Sequence, residues 1–343
     1  MTRPDEIRES LLARIYDINV EGFEQVAMEV WKFQFANNDL YQSFCHLLHK
    51  DPSNVTAISD IPFLPVSVFK EHLVKTGTWD PQCRFESSGT TGSQRSQHLV
   101  RDRSWYHAVA QKGFSTFLGS PGDFIWVGLL PSYLDRPDSS LVDMVDHFMT
   151  VGGHEKSGFF PAINDQLVEL LNALFRENEA VVLIGVSFAL LDLFDHAGIP
   201  VWDRLLVIET GGMKGRGKEL TREELYDRMR ARYPALRIAS EYGMTELLSQ
   251  AYRIGGRFLP GPTMGVFIRD VSDPLRLIGQ GQRGAINIID LANIDTCAFI
   301  ATEDVGVSYV DGSFEVLGRL DLSDMRGCNL MYTSASLGQM PRI

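Results

Sequence analysis

The chain has 343 residues, 44% of them hydrophobic and 22% charged, with a formal net charge of −12. It is long enough to bury a sizeable core, as one large domain or two smaller ones. Its acidic balance argues against a nucleic-acid or anionic-membrane surface, since a protein that tracks phosphates needs a basic footprint.

The opening Met1-Thr2-Arg3-Pro4-Asp5-Glu6 has no apolar stretch of a secretory leader, and no later run is long and apolar enough to cross a bilayer. From Asp5 to about Lys50, Ile7, Leu11, Leu12 and Ile15, then Phe23, Val26, Ala27, Val30, Trp31 and Phe35, recur at helical spacing. This predicts two or three amphipathic helices. His46 and His49 lie three apart on the last; with no acidic partner in register they read as surface or core histidines rather than a metal pair. In Ile61–Lys70 the prolines Pro62 and Pro65 force an extended run into the core.

Next comes Glu86-Ser87-Ser88-Gly89-Thr90-Thr91-Gly92-Ser93-Gln94, a loop dense in hydroxyls and exposed N–H groups. Glycine lets the backbone form a concave nest whose N–H groups converge on an anion, and hydroxyls add donors without charge. The same composition also describes a solvated linker, so the stretch alone leaves both readings open.

Ser104 to Phe117 reads as a helix, and Asp123 to Leu130 as a buried strand ending in a polar turn, Pro131 to Arg136, with a helix start at Ser139–Met144. Gln166–Phe175 is a helix, Ala180–Val186 a second buried strand and Ser187–His196 another helix. Gly185-Val186-Ser187-Phe188-Ala189 resembles a nucleophile elbow, but Ala189 stands where Gly is needed, so Ser187 reads as a helix cap. Leu205–Glu209 is a third strand. Gly212 to Lys218 then fits G-x-x-x-x-G-K, but Glu219 follows where magnesium binding needs Ser or Thr. The capping box Thr221-Arg222-Glu223-Glu224 also starts the helix too late to aim at a phosphate held by the glycines. A Gly-Gly turn against which a flat ring can lie fits better. Arg237–Glu241 is a short strand running into Tyr242-Gly243-Met244-Thr245-Glu246, and four more strands lie near 265–269, 284–290, 299–304 and 313–317. Strands alternating with helices, then a β-rich end, predict an α/β fold closed by a small sheet. The four cysteines, Cys45, Cys83, Cys297 and Cys328, are scattered with no C-x-x-C pair. That argues against zinc or a disulfide framework and suits reduced, cytoplasmic thiols.

Ser87-Ser88-Gly89-Thr90-Thr91-Gly92, Glu241-Tyr242-Gly243-Met244-Thr245-Glu246, Thr302-Glu303-Asp304-Val305-Gly306 and Gly318-Arg319 occur in that order. Together they resemble the adenylate-forming superfamily of acyl-CoA synthetases, luciferases and peptide-synthetase adenylation domains. Phe63–Ser67, Leu130–Leu134, Glu209–Gly215, Ala292–Cys297 and Asp324–Cys328 are similar, within that superfamily, to the acyl-protein synthetase (LuxE) family. The resemblance runs from about Ile61 to about Leu330. It implies an N-terminal-domain-like adenylating fold with three parts: a helical segment over residues 1–60, an ATP- and acyl-adenylate-forming domain over 61–330, and a short tail over 331–343.

Carried over residue by residue, the resemblance implies that Ser87, Ser88, Gly89, Thr90, Thr91 and Gly92 hold the β- and γ-phosphates of ATP. Tyr242, within Glu241-Tyr242-Gly243, stacks on adenine, with Gly211 and Gly212 on the other side. Thr245 donates to the α-phosphate, Glu246 binds magnesium (Mg2+), Asp304 takes the ribose hydroxyls, and Arg319 reaches the ribose or phosphates. Cys328 matches the family's acylated cysteine, and the nearby Arg326 favours its thiolate. The chemistry is coherent. A carboxylate is a poor electrophile until adenylation gives it a good leaving group, and the charge built at the α-phosphorus needs a cation and fixed donors. Adjacent Thr245 and Glu246 reach one phosphate only from a loop or strand end.

Adenylating enzymes usually carry a mobile C-terminal domain with a lysine that assists adenylation; here the chain ends soon after Cys328 and lacks most of it. Lys70, Lys112 and Lys214 remain open as substitutes. The expected activity is ATP-dependent activation of a carboxylic acid, a fatty acid favoured, with acyl transfer to Cys328 and onward to a reductase or acyl-carrier partner. The alternatives are an acyl- or aryl-CoA ligase of phenylacetate–CoA ligase type, and a non-catalytic partner subunit that binds an acyl-adenylate.

Overall fold

The computed structural model describes residues 3–88, 94–131, 133, 136, 138–196, 198–211 and 221–320. The chain forms two compact units, the first from Met1–Gly113, Gly243–Gln250 and Leu259–Ile343, the second from Phe114–Tyr242 and Ala251–Phe258.

Unit 1 opens with three helices, α1 (Pro4–Tyr16), α2 (Val20–Asn37) and α3 (Asp39–Leu47). Their starts follow capping chemistry: the side chains of Asn19 and Asn38 accept from the N–H groups of Gly22 and Tyr41. The helical spacing read from the sequence buries Leu11, Ile15, Val26, Ala27, Val30, Trp31 and Phe35. Each large apolar side chain taken fully from water contributes roughly 1.5–3 kcal/mol. His46 packs edge-on against Phe35, and His49 lies past the end of α3 at φ 55°. The proline run is extended only over β1 (Leu64–Pro65); Val68–Glu71 turns into a short helix, α4, which corrects the extended reading beyond Pro65. A hairpin follows, β2 (Cys83–Glu86) antiparallel to β3 (Gln97–Val100), and then α5 (Arg103–Leu118).

Unit 2 alternates strand and helix: β4 (Ile125–Leu129), α6 (Ser140–Gly152), β5 (Gly158–Phe160), α7 (Asp165–Arg176), β6 (Val181–Val186), α8 (Ser187–His196), β7 (Leu205–Thr210), α9 (Arg222–Arg232), β8 (Arg237–Tyr242) and β9 (Ala251–Arg253). The strands lie in the order β5-β4-β6-β7-β8-β9, parallel except for the antiparallel β9. Every residue of β4, β6 and β7 is buried, as expected of parallel strands covered on both faces. The capping box at Thr221 is present, with Thr221 and Glu224 bonded reciprocally.

β10 (Phe258–Pro260) follows, and unit 1 resumes with β11 (Met264–Arg269), β12 (Arg283–Asp290), β13 (Phe299–Ser308) and β14 (Phe314–Arg319). These last four form an antiparallel sheet in sequence order, and β1 joins β13 in parallel. Gly284 and Gly306 face each other across β12 and β13, where a Cβ would lie 2.3 Å from the Arg269 carbonyl and 2.2 Å from the Glu315 carbonyl respectively. No helix among the described residues is long and apolar enough to cross a membrane.

Candidate functional site

In unit 1 the hydroxyl-rich stretch lies in sequence between β2 and β3. Its neck is closed twice: the Ser87 N–H donates to the Ser96 carbonyl at 3.0 Å, and the Ser96 N–H to Ser87 Oγ at 2.9 Å. Gly89, Thr90, Thr91 and Gly92 lie outside the described residues. The Ser96 side chain lies beside the carboxyl of Glu246, so the neck of this loop and the segment after β8 meet. Burial pushes the Glu246 carboxyl up; the Ser96 side chain and the positive charges of Lys70 and Arg319 pull the other way. At 6% exposure such a carboxyl favours a bound cation or a proton over lying ionised and alone.

Thr245 and Glu246 occupy a turn just past β8, as their adjacency required, closed by Leu247 N–H to the Met244 carbonyl at 3.0 Å. Three buried side chains that sequence reasoning did not assign hold this turn. His98 Nδ1 lies 2.7 Å from the Thr245 carbonyl. Asn293 Nδ2 donates to the Glu246 carbonyl at 2.8 Å. Asp290 accepts from the N–H groups of Leu248 and Ser249, at 2.8 and 3.0 Å. Asn293 lies within the Ala292–Cys297 segment quoted for the resemblance, the one signal that could have drawn attention to it; His98 and Asp290 left none.

Asp304 lies on β13 directly opposite Arg319 on β14, with Arg319 Nε 3.4 Å from Asp304 Oδ1. Asp304 is buried, while the Arg319 side chain is 73% exposed. Of the proposed substitute lysines, Lys112 donates to the Tyr16 carbonyl, Lys70 contributes to the field at Glu246, and Lys214 lies outside the described residues.

Unit 2 carries Gly211, Glu241 and Tyr242 at the carboxyl ends of β7 and β8, where open α/β sheets bind ligands. Gly211 adopts φ +80°, a left-handed conformation that favours glycine, and a Cβ there would meet the Tyr133 hydroxyl at 3.4 Å. The buried Tyr242 ring stands edge-on to Phe258. Glu241 accepts from Thr210 Oγ1 at 2.6 Å; burial and the nearby Glu209 charge push its carboxyl up to about 7 against the Thr210 bond. Glu209, also unassigned from sequence, accepts from Ser187 Oγ at 2.5 Å and Ser240 Oγ at 2.7 Å. Ser187 does open α8, and its hydroxyl is committed to a carboxylate rather than to an imidazole base. Gly212, Cys328 and Arg326 lie outside the described residues. No cluster of three metal-ligating side chains occurs among the described residues.

The family model described as acyl-protein synthetase, LuxE, matches residues 11–111. A long-chain-fatty-acid–luciferin-component ligase of Aliivibrio fischeri is 22% identical over 361 residues, covering 96% of this chain and 91% of the relative. The protein of the same name from Photorhabdus luminescens is 30% identical over 89 residues, covering 26% of this chain and 74% of the relative. Among solved structures, 2-hydroxyisobutyryl-CoA ligase in the postadenylation state, in complex with 2-HIB-AMP, matches with a TM-score of 0.63 at 13% identity, covering 88% of this chain and 69% of that one. O-succinylbenzoate coenzyme A synthetase from Bacillus subtilis, in complex with ATP and magnesium ion, matches with a TM-score of 0.51 at 16% identity, covering 69% of this chain. The chain spans about half of that synthetase, 49% of its length. These likenesses show the fold: mixed α/β, of the kind found in adenylate-forming enzymes.

Proposed function

The chain belongs to the LuxE acyl-protein synthetase family, and from that premise we propose that it spends ATP to activate a carboxylic acid, a long-chain fatty acid favoured, as an acyl-adenylate. The acyl group then passes to the thiol of Cys328, and from there to a reductase or acyl-carrier partner. In the first step a carboxylate oxygen attacks the α-phosphorus, the bond to the bridging oxygen breaks, and pyrophosphate leaves. In the second, the Cys328 thiolate attacks the acyl carbonyl and AMP departs, leaving a thioester.

What supports the reading is that Ser96, at the neck of the hydroxyl loop, lies beside the buried carboxyl of Glu246. This joins a loop suited to the β- and γ-phosphates to a carboxyl suited to a phosphate-bound cation. Magnesium commonly takes one or two carboxylates plus substrate phosphates, so a single buried Glu246 fits it better than a cage would. When bound, the ion supplies positive charge against the α-phosphorus. Thr245 donates to the α-phosphate and Asp304 accepts from the ribose hydroxyls, with Arg319 beside it. The adenine-facing roles of Tyr242, Gly211 and Gly212 belong to the same reading.

The test is ATP–pyrophosphate exchange over a series of fatty and aryl acids, followed by trapping of labelled acyl-protein. Exchange with a long-chain acid, and a hydroxylamine-sensitive acyl-protein lost in Cys328→Ser, are expected. CoA-dependent AMP release with Cys328→Ser fully active would assign a CoA ligase instead. Absence of exchange with every acid would leave a binding subunit.

A further inference from the structure

His98 sits on β3, just past the neck of the hydroxyl loop, with 1% of its surface exposed. Its two ring nitrogens have different partners, Nδ1 the Thr245 carbonyl at 2.7 Å and Nε2 the Thr296 hydroxyl at 3.1 Å. A carbonyl can only accept, so Nδ1 carries the proton, and the neutral ring then accepts from Thr296 Oγ1 through Nε2. Burial lowers His98 to about 4, which keeps the ring neutral at ordinary pH.

Thr296 is itself fixed. Its carbonyl accepts from Thr76 Oγ1 at 2.6 Å and Asn38 Nδ2 at 2.9 Å, and its N–H donates to the Asn293 carbonyl at 3.1 Å. The neighbouring Asp295 takes a two-pronged pair from Arg8, both bonds at 2.6 Å. The Phe69 ring stands edge-on to the imidazole and blocks its tilt. The ring is therefore a rigid strut between a platform anchored on α1 and α2 and the main-chain carbonyl of Thr245.

We propose that His98 is a positioning residue for adenylation: by bonding the Thr245 carbonyl from an anchored platform, it sets where the Thr245 hydroxyl and Glu246 carboxylate stand. It acts through the Thr245 main chain, both ring nitrogens being taken by protein groups. A displaced catalytic group costs rate out of proportion to the shift, about a hundredfold for 1 Å. The inference rests on the adenylating reading for its kinetic readout only.

The experiment compares His98→Ala, His98→Asn and His98→Gln in the full chain. Asn places its amide N–H where Nδ1 was, whereas Gln places it where Nε2 was. His98→Ala is expected to lower kcat for ATP–pyrophosphate exchange roughly tenfold to a hundredfold, with KM for ATP within about threefold. His98→Asn recovers most of kcat and His98→Gln does not. Amide hydrogen exchange at Leu247, Leu248 and Ser249, faster in His98→Ala and slowed again in His98→Asn, reports the same strut without any turnover. Nitrogen NMR of the wild-type ring should show the proton on Nδ1. Equal exchange protection in all variants, or an Asn variant no better than Ala in protection or kcat, overturns the proposal. If wild type turns over no acid, the adenylating reading fails, and the protection data decide the role of His98 alone.

Discussion

Asp290 holds Ser249 at two points, accepting from its hydroxyl at 2.5 Å through Oδ1 and from its N–H at 3.0 Å through Oδ2. The same carboxyl also takes the N–H groups of Leu248 and Ala292. Burial pushes this carboxyl up while the four donors pull it down. Asp290→Ala strands those donors without water, which costs on the order of 3 kcal/mol or more. Urea unfolding should show that loss, and hydrogen exchange should place it in residues 247–249. A variant as stable as wild type would contradict the arrangement.

Glu241 makes a pH-dependent statement. Its carboxyl stands at about 7 in the folded protein against an ordinary 4.5, so the folded state holds a proton that the unfolded state has released. Stability therefore falls as pH rises from about 4.5 to about 7 and levels off above, by about 3 kcal/mol in total. Glu241→Gln keeps an acceptor for Thr210 and removes the titration. The stability of this variant relative to wild type should climb across that window; parallel curves between pH 5 and 8 would refute the shift.

For the chemistry, Glu246→Gln keeps the volume and an acceptor for Ser96 and removes the charge. Exchange should drop roughly a hundredfold in kcat, with KM for ATP altered far less, and added magnesium should fail to restore it. Restoration by excess magnesium would mean that Glu246 only tunes affinity.

Much of the fold was legible and much of the site was not. The apolar runs over 125–129, 181–186 and 205–208 are strands because each is too short for a helix and apolar throughout. Thr221 starts α9 because its hydroxyl and Glu224 satisfy each other's N–H groups. Such signals are local. His98, Asp290, Asn293 and Glu209 act through hydrogen bonds to residues distant along the chain, His98 to Thr245 across 147 positions. A buried polar contact of that kind has no periodicity and leaves no trace in neighbouring residues. The motif residues Thr245, Glu246, Asp304 and Arg319 were legible only through resemblance, Asn293 only by lying in a segment of that resemblance, and His98 and Asp290 through nothing.

Gly306 gives a packing prediction. Its missing side chain leaves room for the Glu315 carbonyl at a register shift two residues after Asp304. Gly306→Ala should cost on the order of 3 kcal/mol and disturb the pairing of Asp304 with Arg319. A melting temperature unchanged from wild type would show that β14 yields freely.

Arg8 and Asp295 form a buried two-pronged ion pair across 287 positions. Removing either partner should cost on the order of 1–3 kcal/mol, since Asp295 keeps Arg101 at 3.5 Å and Arg8 keeps Glu9. A double-mutant cycle with Arg8→Ala and Asp295→Ala should show the double variant losing much less than the two single losses together; strict additivity would deny the coupling.

The pairing of β1 with β13 has a bearing on synthesis. Leu64 finds its neighbour Ile300 only after more than two hundred further residues have been made. At 5–20 residues per second, the ribosome leaves that edge open for roughly 10–50 s. During this time the amino-terminal helices have no β13 to join, so the nascent chain, rather than the finished enzyme, is the form most exposed to chaperones and to aggregation.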